Sequence, residues 1–173
     1  MGRDKALLPH GDATLLEHAA RAVIAATGNV TVIGDPDYYR RFGFPVVADK
    51  IPGCGPLSGI HTALSTTSAD WNLIVACDMP AISPDLLLAV LDRAFRSGRL
   101  CVAASGREGE PEPLCAVYHR GCLPALERAL QEKRLRMRDL LPELAAESCA
   151  VDASALANVN TPAEWDEFVE QPK

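Results

Sequence analysis

The sequence predicts a three-layer α/β domain with a mainly parallel sheet, and three observations carry that expectation. Short apolar runs at Val30–Ile33, Pro45–Ala48, Leu73–Cys77 and Leu100–Ala104 alternate with longer amphipathic stretches. Two of those runs end in a carboxylate, Asp49 and Asp78, where a strand would leave the core. With 173 residues, 48% of them apolar and only 5% aromatic, the chain suits a single domain packed from Ala, Leu and Val. That length buries roughly 70% of the unfolded surface.

The chain opens on Arg3, Asp4 and Lys5 with no strand before them. Thr14 and Glu17 form a capping box. Leu15, Leu16, Ala19, Ala20, Val23 and Ile24 give the helix one apolar face, and Gly28 ends it. Val30–Ile33 is the next strand, closed by Gly34-Asp35-Pro36; a short helical turn from Tyr38 to Phe42 leads to the strand Pro45–Ala48. In IPGCGPLSGI, residues 51–60, Gly53, Gly55 and Gly59 with Pro52 and Pro56 build a tight loop that delivers a helix N-terminus to the sheet edge. It is neither a P-loop nor a dinucleotide fingerprint.

Leu73–Cys77 is a continuous apolar run, which fits a strand buried on both faces of a parallel sheet. It stops at Asp78, and Met79-Pro80 prevents its continuing. Ser83 then reads as an N-cap with Pro84 at the first helical position. Leu86, Leu87, Val90, Leu91, Ala94 and Phe95 mark the helix, and Gly98 ends it. Leu100–Ala104 is a strand, residues 105–112 a polar turn, and Leu114–Tyr118 a strand returning antiparallel. Leu123, Leu126 and Leu130 carry another helix, and Ala150–Val151 is a short final strand. Thr161 and Glu164 form a second capping box, with Trp165, Phe168 and Val169 docking a closing helix.

In open α/β sheets ligands bind beyond the carboxyl ends of the strands. Lys5, Asp49, the loop at 53–59 and Asp78 are expected together at that edge. On position alone each keeps two readings. Asp78 is a magnesium ligand or a turn aspartate. Lys5 is a phosphate contact or a solvated cation. Asn158 and Asn160 are ligands or turn formers, and the basic cluster of Lys133, Arg134, Arg136 and Arg138 is an anion contact or a solvated face.

The net charge of −6 and the absence of a dense basic face argue against a nucleic-acid partner. No apolar run approaches the roughly 20 residues of a membrane span, and no signal peptide is present. The six cysteines, at 54, 77, 101, 115, 122 and 149, form no C-x-x-C pair. They read as buried thiols of a cytoplasmic protein rather than disulfides or a zinc site.

The order GRDKALL, D-x-x-PGxGPLSGI, VACDMP, PEPLCAVYH and NVNTP resembles the molybdenum cofactor guanylyltransferases of the nucleotidyltransferase superfamily, from Met1 to about Trp165. The resemblance implies a Rossmann-like nucleotidyltransferase fold and a Mg²⁺-dependent transfer of GMP from GTP to the terminal phosphate of molybdopterin, releasing pyrophosphate. It implies that Asp78 holds the Mg²⁺ and that Lys5 contacts the nucleotide phosphates, with Arg3 as a second cation. Asp49 matches a nucleotide-contacting position, Gly55 lies in the loop lining the nucleotide side, and Asn158 and Asn160 match positions facing the reacting centre or the pterin. Arg134 is our own assignment to the pterin phosphate. The partners implied are GTP and molybdopterin, with molybdopterin synthesis proteins and recipient apo-molybdoenzymes beyond them.

One departure is large. The family pattern places a strand and a glycine-rich loop, roughly L-A-G-G-x-S-x-R, immediately before M-G-x-D-K, and these residues do not contain it. The expectation is therefore that Met1 is internal to a longer gene product or the first residue kept after trimming, and that Val30–Ile33 and Leu73–Cys77 flank a gap in the sheet. The rival readings are a cytidylyltransferase for the same cofactor, a nicotinamide oxidoreductase resting on fold alone, and a binding module without turnover.

Overall fold

The computed structural model describes residues 4–106, 109–159 and 164–165. A hairpin of β1 (Pro9–His10) and β2 (Ala13–Thr14) leads into α1 (Leu15–Thr27), followed by β3 (Val32–Ile33), α2 (Pro36–Tyr39) and β4 (Val46–Val47). Then come α3 (Gly55–Thr66), β5 (Trp71–Val75), α4 (Pro84–Ser97), β6 (Cys101–Ser105) and β7 (Pro111–His119). The elements α5 (Leu123–Gln131), α6 (Met137–Leu140) and β8 (Glu147–Ala150) complete the order.

The main sheet has the order β5-β7-β6-β8. Its strand β7 pairs antiparallel with both β5 and β6, while β6 and β8 pair in parallel. Three of the four strands therefore share one direction and β7 alone opposes them, the antiparallel return expected of Leu114–Tyr118, so two of the three ladders are antiparallel. A separate parallel pair joins β3 to β4.

Alternation along β6 and β7 separates the layers. Cys101, Ala103, Ala116 and Tyr118 pack against Leu57, Ile60 and Leu64 of α3 and Leu126 of α5. Val102, Ala104, Cys115 and Val117 face the other way, onto Leu87 and Val90 of α4 and Ala22 of α1. Successive strand residues point to opposite faces, so helices cover both sides and β6 is wholly buried. Burying each large aliphatic side chain here contributes about 1.5–3 kcal/mol.

Local chemistry sets the helix ends. Thr14 and Glu17 close a reciprocal capping box on α1, and Ser83 accepts from the Leu86 N–H to cap α4. The left-handed residues Gly28 and Gly98 end those two helices.

Several elements differ from expectation: β3 and β4 are shorter than the runs Val30–Ile33 and Pro45–Ala48, at two residues each. β5 ends at Val75 rather than Cys77, although Ala76 still donates to the Leu114 carbonyl at 2.8 Å. The last described strand lies at Glu147–Ala150, earlier than expected, because β6 offers it a four-residue parallel ladder. β7 begins at Pro111 and shifts register between Ala103↔Ala116 and Ala104↔Glu112. Pro113, which has no N–H to give a ladder, sits in that irregularity, and its carbonyl accepts from the buried Tyr118 hydroxyl at 2.9 Å. The hairpin β1–β2 has no alternating apolar pattern to announce it.

Between the two sheets lies a cleft of about 790 Å³. Val30–Ile33 line one side and Trp71–Asp78 the other, with Leu16, Ala19 and Val23 of α1 and Pro56, Gly59 and Ile60 of α3 completing the lining. Among the described residues, β5 has no partner on its cleft edge and β3 pairs only with β4. Every residue of β5 is accordingly only part-buried, despite the apolar run of Leu73, Ile74 and Val75. No helix among the described residues is long and apolar enough to cross a membrane.

Candidate active site

Asp78 follows β5 at the end of the cleft. Its Oδ1 is buried without a hydrogen-bond partner among the described residues. Burial pushes the carboxyl above its ordinary range, and the nearby Lys5 charge pulls it part of the way back. Lys5 opens a single 3₁₀ turn, Lys5–Leu7, that exists because Asp4 caps it, Oδ1 accepting from the Ala6 N–H at 3.0 Å. From the far end of the chain, the Val159 N–H donates to the Asp78 carbonyl at 2.9 Å, and Val159 itself is buried against Leu15 and Trp165. The structure thus brings Lys5, Asp78 and the Asn158–Val159 segment together. Asn160 and Arg3 lie outside the described residues, as do Thr161, Phe168 and Val169.

The neighbouring thiol does not supply covalent chemistry. Burial, reinforced by Asp78 and Asp4, lifts Cys77 to about 11, so it stays protonated at neutral pH. Cationic and anionic groups at this edge are suited to holding phosphates rather than to nucleophilic attack.

Asp49 belongs to a second group. Its Oδ1 accepts from the Ile51 N–H at 3.2 Å, from the Thr62 hydroxyl at 3.1 Å and from the Ser58 hydroxyl. The Lys50 N–H donates in turn to Thr62 Oγ1 at 3.0 Å. These bonds staple the strand end to α3 and fix the loop between them. Gly53 and Gly55 take left-handed φ values of 83° and 62°, which other residues adopt only with strain. No side chain caps α3 at Cys54, so its first N–H groups stay available to an anion.

Arg134 stands apart from both groups. Its guanidinium is bound by Glu132 at 2.7 Å and by Glu143, on the segment between α5 and α6 and beyond. Among the described residues no three His, Cys, Asp or Glu side chains cluster as a ready-made metal cage.

Residues 1–148 match the family described as the MobA-like NTP transferase domain. The chain belongs to this family. A protein of Pelotomaculum thermopropionicum named "Probable molybdenum cofactor guanylyltransferase" is 34% identical, over 95% of this chain and 83% of the relative. One of the same name from Flavobacterium johnsoniae is 29% identical over 97% of this chain and 89% of its own. Among solved structures, molybdopterin-guanine dinucleotide biosynthesis protein A from Archaeoglobus fulgidus superposes with a TM-score of 0.78 at 21% identity, covering 96% of this chain and 89% of that one. A CMP:2-keto-3-deoxy-manno-octonic acid synthetase complexed with CTP reaches 0.72 at 14% identity, over 95% and 89%. The MobA-like chain therefore has the nucleotidyltransferase fold, and its family makes it an NTP transferase.

Three residues of this MobA-like site escape a reading of the sequence. Ser58 and Thr62 lie one turn apart on α3, and that i, i+4 pair of hydroxyls was the available signal. Tyr39, whose hydroxyl donates to Asp4 Oδ2 at 2.5 Å, carries no sequence signal at all.

Proposed function

We propose that this protein transfers GMP from GTP to the terminal phosphate of molybdopterin in the molybdenum cofactor, with Mg²⁺, in the cytoplasm. A terminal phosphate oxygen of the pterin attacks the α-phosphorus of GTP. The bond from that phosphorus to the β-phosphate oxygen breaks, and pyrophosphate leaves. Such a reaction needs in-line positioning and charge neutralisation more than covalent help.

One observation carries the reading: a buried carboxylate oxygen of Asp78, without a hydrogen-bond partner among the described residues, lies within the field of Lys5, at the mouth of a cleft, in a chain of the MobA-like family. A divalent cation satisfies such an oxygen, and Mg²⁺ is commonly held by one or two carboxylates plus substrate phosphates. Asp78 fits as that ligand. When bound, the ion neutralises phosphate charge and polarises the reacting phosphorus. Lys5 then meets the nucleotide phosphates as a compact cation. The uncapped start of α3 behind Gly55 offers N–H groups on the nucleotide side, and the Asp49 oxygen not used by the staple reads the base or ribose. Asn158 and Asn160 orient the pterin substrate. Arg134 is proposed for the pterin phosphate, which requires it to leave Glu132 and Glu143. Molybdopterin synthesis proteins and recipient apo-molybdoenzymes are the protein partners this role implies.

The test is pyrophosphate release and dinucleotide formation from molybdenum cofactor with GTP or CTP, with and without Mg²⁺. GTP-dependent product that disappears on chelation is expected. Preference for CTP would make the protein a cytidylyltransferase, and GTP binding without any pyrophosphate would make it a binding module.

A further inference from the structure

Tyr39 ends α2, in the connection between β3 and β4, and has no role in the proposed chemistry. Its hydroxyl nevertheless donates to Asp4 Oδ2 at 2.5 Å across a long sequence separation. The other oxygen of the same carboxylate, Oδ1, accepts the Ala6 N–H and caps the turn that Lys5 opens. Both Asp4 oxygens are therefore committed, one to the turn carrying Lys5 and one to Tyr39. The charge at Lys5 is felt in turn at Asp78 and Cys77. Burial and the adjacent carboxylate push the Tyr39 hydroxyl well above its ordinary range, so it remains a donor.

A second contact fixes the ring. A methyl group built on Gly34 would lie 2.8 Å from Cε2 and 2.9 Å from Cδ2 of Tyr39, the nearest atoms to it beyond its chain neighbours among the described residues. Gly34 does not have the positive φ that would itself demand glycine. What requires glycine there is the aromatic ring lying over the backbone. The path from the β3 end through Gly34, Tyr39 and Asp4 to Lys5 consists of direct contacts.

We propose that Tyr39 is a positioning residue for Lys5, acting through Asp4, and that Gly34 makes room for the ring in that arrangement. The inference rests on the reading of Lys5 as a contact to the GTP phosphates. It adds that the β3–β4 connection sets how well the nucleotide is held. Freed from Tyr39, Asp4 holds its turn by one hydrogen bond to Ala6, and the ammonium group it presents is less well fixed. Losing one neutral donor to a carboxylate corresponds to a loss of roughly fivefold to tenfold in GTP affinity.

The experiment uses the full chain and its Tyr39→Phe, Gly34→Ala and doubly substituted forms. Calorimetric binding of GTP with Mg²⁺ is measured beside steady-state GMP transfer and thermal unfolding. In Tyr39→Phe, GTP binding weakens and KM for GTP rises by about the same factor, while KM for the molybdenum cofactor is unchanged. Gly34→Ala reproduces that pattern by displacing the ring. The double variant is no worse than the more impaired single one, since both act through one hydrogen bond. A merely structural role would instead lower kcat and the unfolding temperature and leave both KM values alone. GTP affinity and KM within twofold of wild type in Tyr39→Phe overturn the inference, as do losses that multiply in the double variant. A wild-type protein that neither binds GTP nor releases pyrophosphate overturns the reading of function instead.

Discussion

The Val159 N–H donates to the Asp78 carbonyl at 2.9 Å, tying the segment with Asn158 to the end of β5. The bond is made by the backbone, so it holds the two segments together whatever side chain stands at position 159. Burial of Val159 against Leu15 and Trp165 anchors it further. Asp78 thus receives a neighbour from each end of the chain, Lys5 from the start and Asn158–Val159 from near its close.

Asp78 is the first residue to test. Its folded-state pKa is raised above the ordinary value of 3.8, so the native protein holds that proton more tightly than the unfolded chain does. Stability then falls as pH rises through the window between the two values, and the cost is fully present above the folded one. Asp78→Asn removes that cost. At pH near 7 the variant should melt above wild type, and the difference should close as pH falls toward about 4. Turnover in Mg²⁺ should nevertheless drop by about a hundredfold or more. Melting curves across that range with steady-state GMP transfer check both halves, and activity within about threefold of wild type removes Asp78 from the mechanism.

Asp49 allows its two oxygens to be separated. In Asp49→Asn the carbonyl oxygen still accepts from Ile51, Ser58 and Thr62, while the other atom becomes a donor. Asp49→Ala loses the staple altogether. The alanine variant should lose about 2–4 kcal/mol in denaturant unfolding, because the Ile51 N–H and the Thr62 hydroxyl lose their acceptor while Ser58 keeps its bond to the Ile51 carbonyl, and the asparagine variant about 1 kcal/mol. If the second oxygen reads guanine, Asp49→Asn also narrows the preference for GTP over CTP. An unchanged preference, together with the expected loss of stability in the alanine variant, would confine Asp49 to the staple.

Most of the fold was legible because its signals are local. Thr14 with Glu17, Ser83 with Pro84, and Gly28 and Gly98 are complete within a few residues, and each ends its helix where the sequence placed the end. The run Leu73–Cys77 located the strand Trp71–Val75, but not its place at an edge of the main sheet beside β7. Of the site, Lys5 and Asp78 were legible as a cation and a strand-end acid. The tie between Asp49 and α3 was not, because a strand-end carboxylate looks the same in sequence whether it faces a ligand or Ser58. Tyr39 was invisible for the same reason: its partner is 35 residues away.

Tyr118 offers a test of the core independent of function. Its ring is fully buried, and its hydroxyl donates to the Pro113 carbonyl at 2.9 Å. Tyr118→Phe keeps the shape and removes that buried donor, at a cost of about 1–3 kcal/mol. For a domain of this size each 1 kcal/mol lowers the melting temperature by about 2–4 °C. GTP binding should be unaffected well below the transition. An unchanged melting temperature would mean that water replaces the hydroxyl at Pro113.

The cleft between β3 and β5 makes the last prediction. Its walls are apolar on both faces, from α1 and from α3, and the β5 edge along it has no partner among the described residues. An extended apolar segment laid there would gain ladder bonds to β5 and to β3, and would bury side chains above and below the sheet at roughly 25 cal/mol per Å². Lys5 lies within range of Asp78 at that end of the cleft. We therefore predict that about 15 added residues, one apolar strand followed by a glycine-rich turn, raise the thermal stability of this chain and its GMP transfer together. The turn would place backbone N–H groups beside Lys5, where the triphosphate needs them. Hydrogen exchange supplies the decisive readout: the amides of Trp71–Val75 should exchange more slowly in the extended protein, since the ladder that protects them is new. If melting temperature, exchange at β5 and turnover all match those of the 173-residue chain, the cleft is not a strand site.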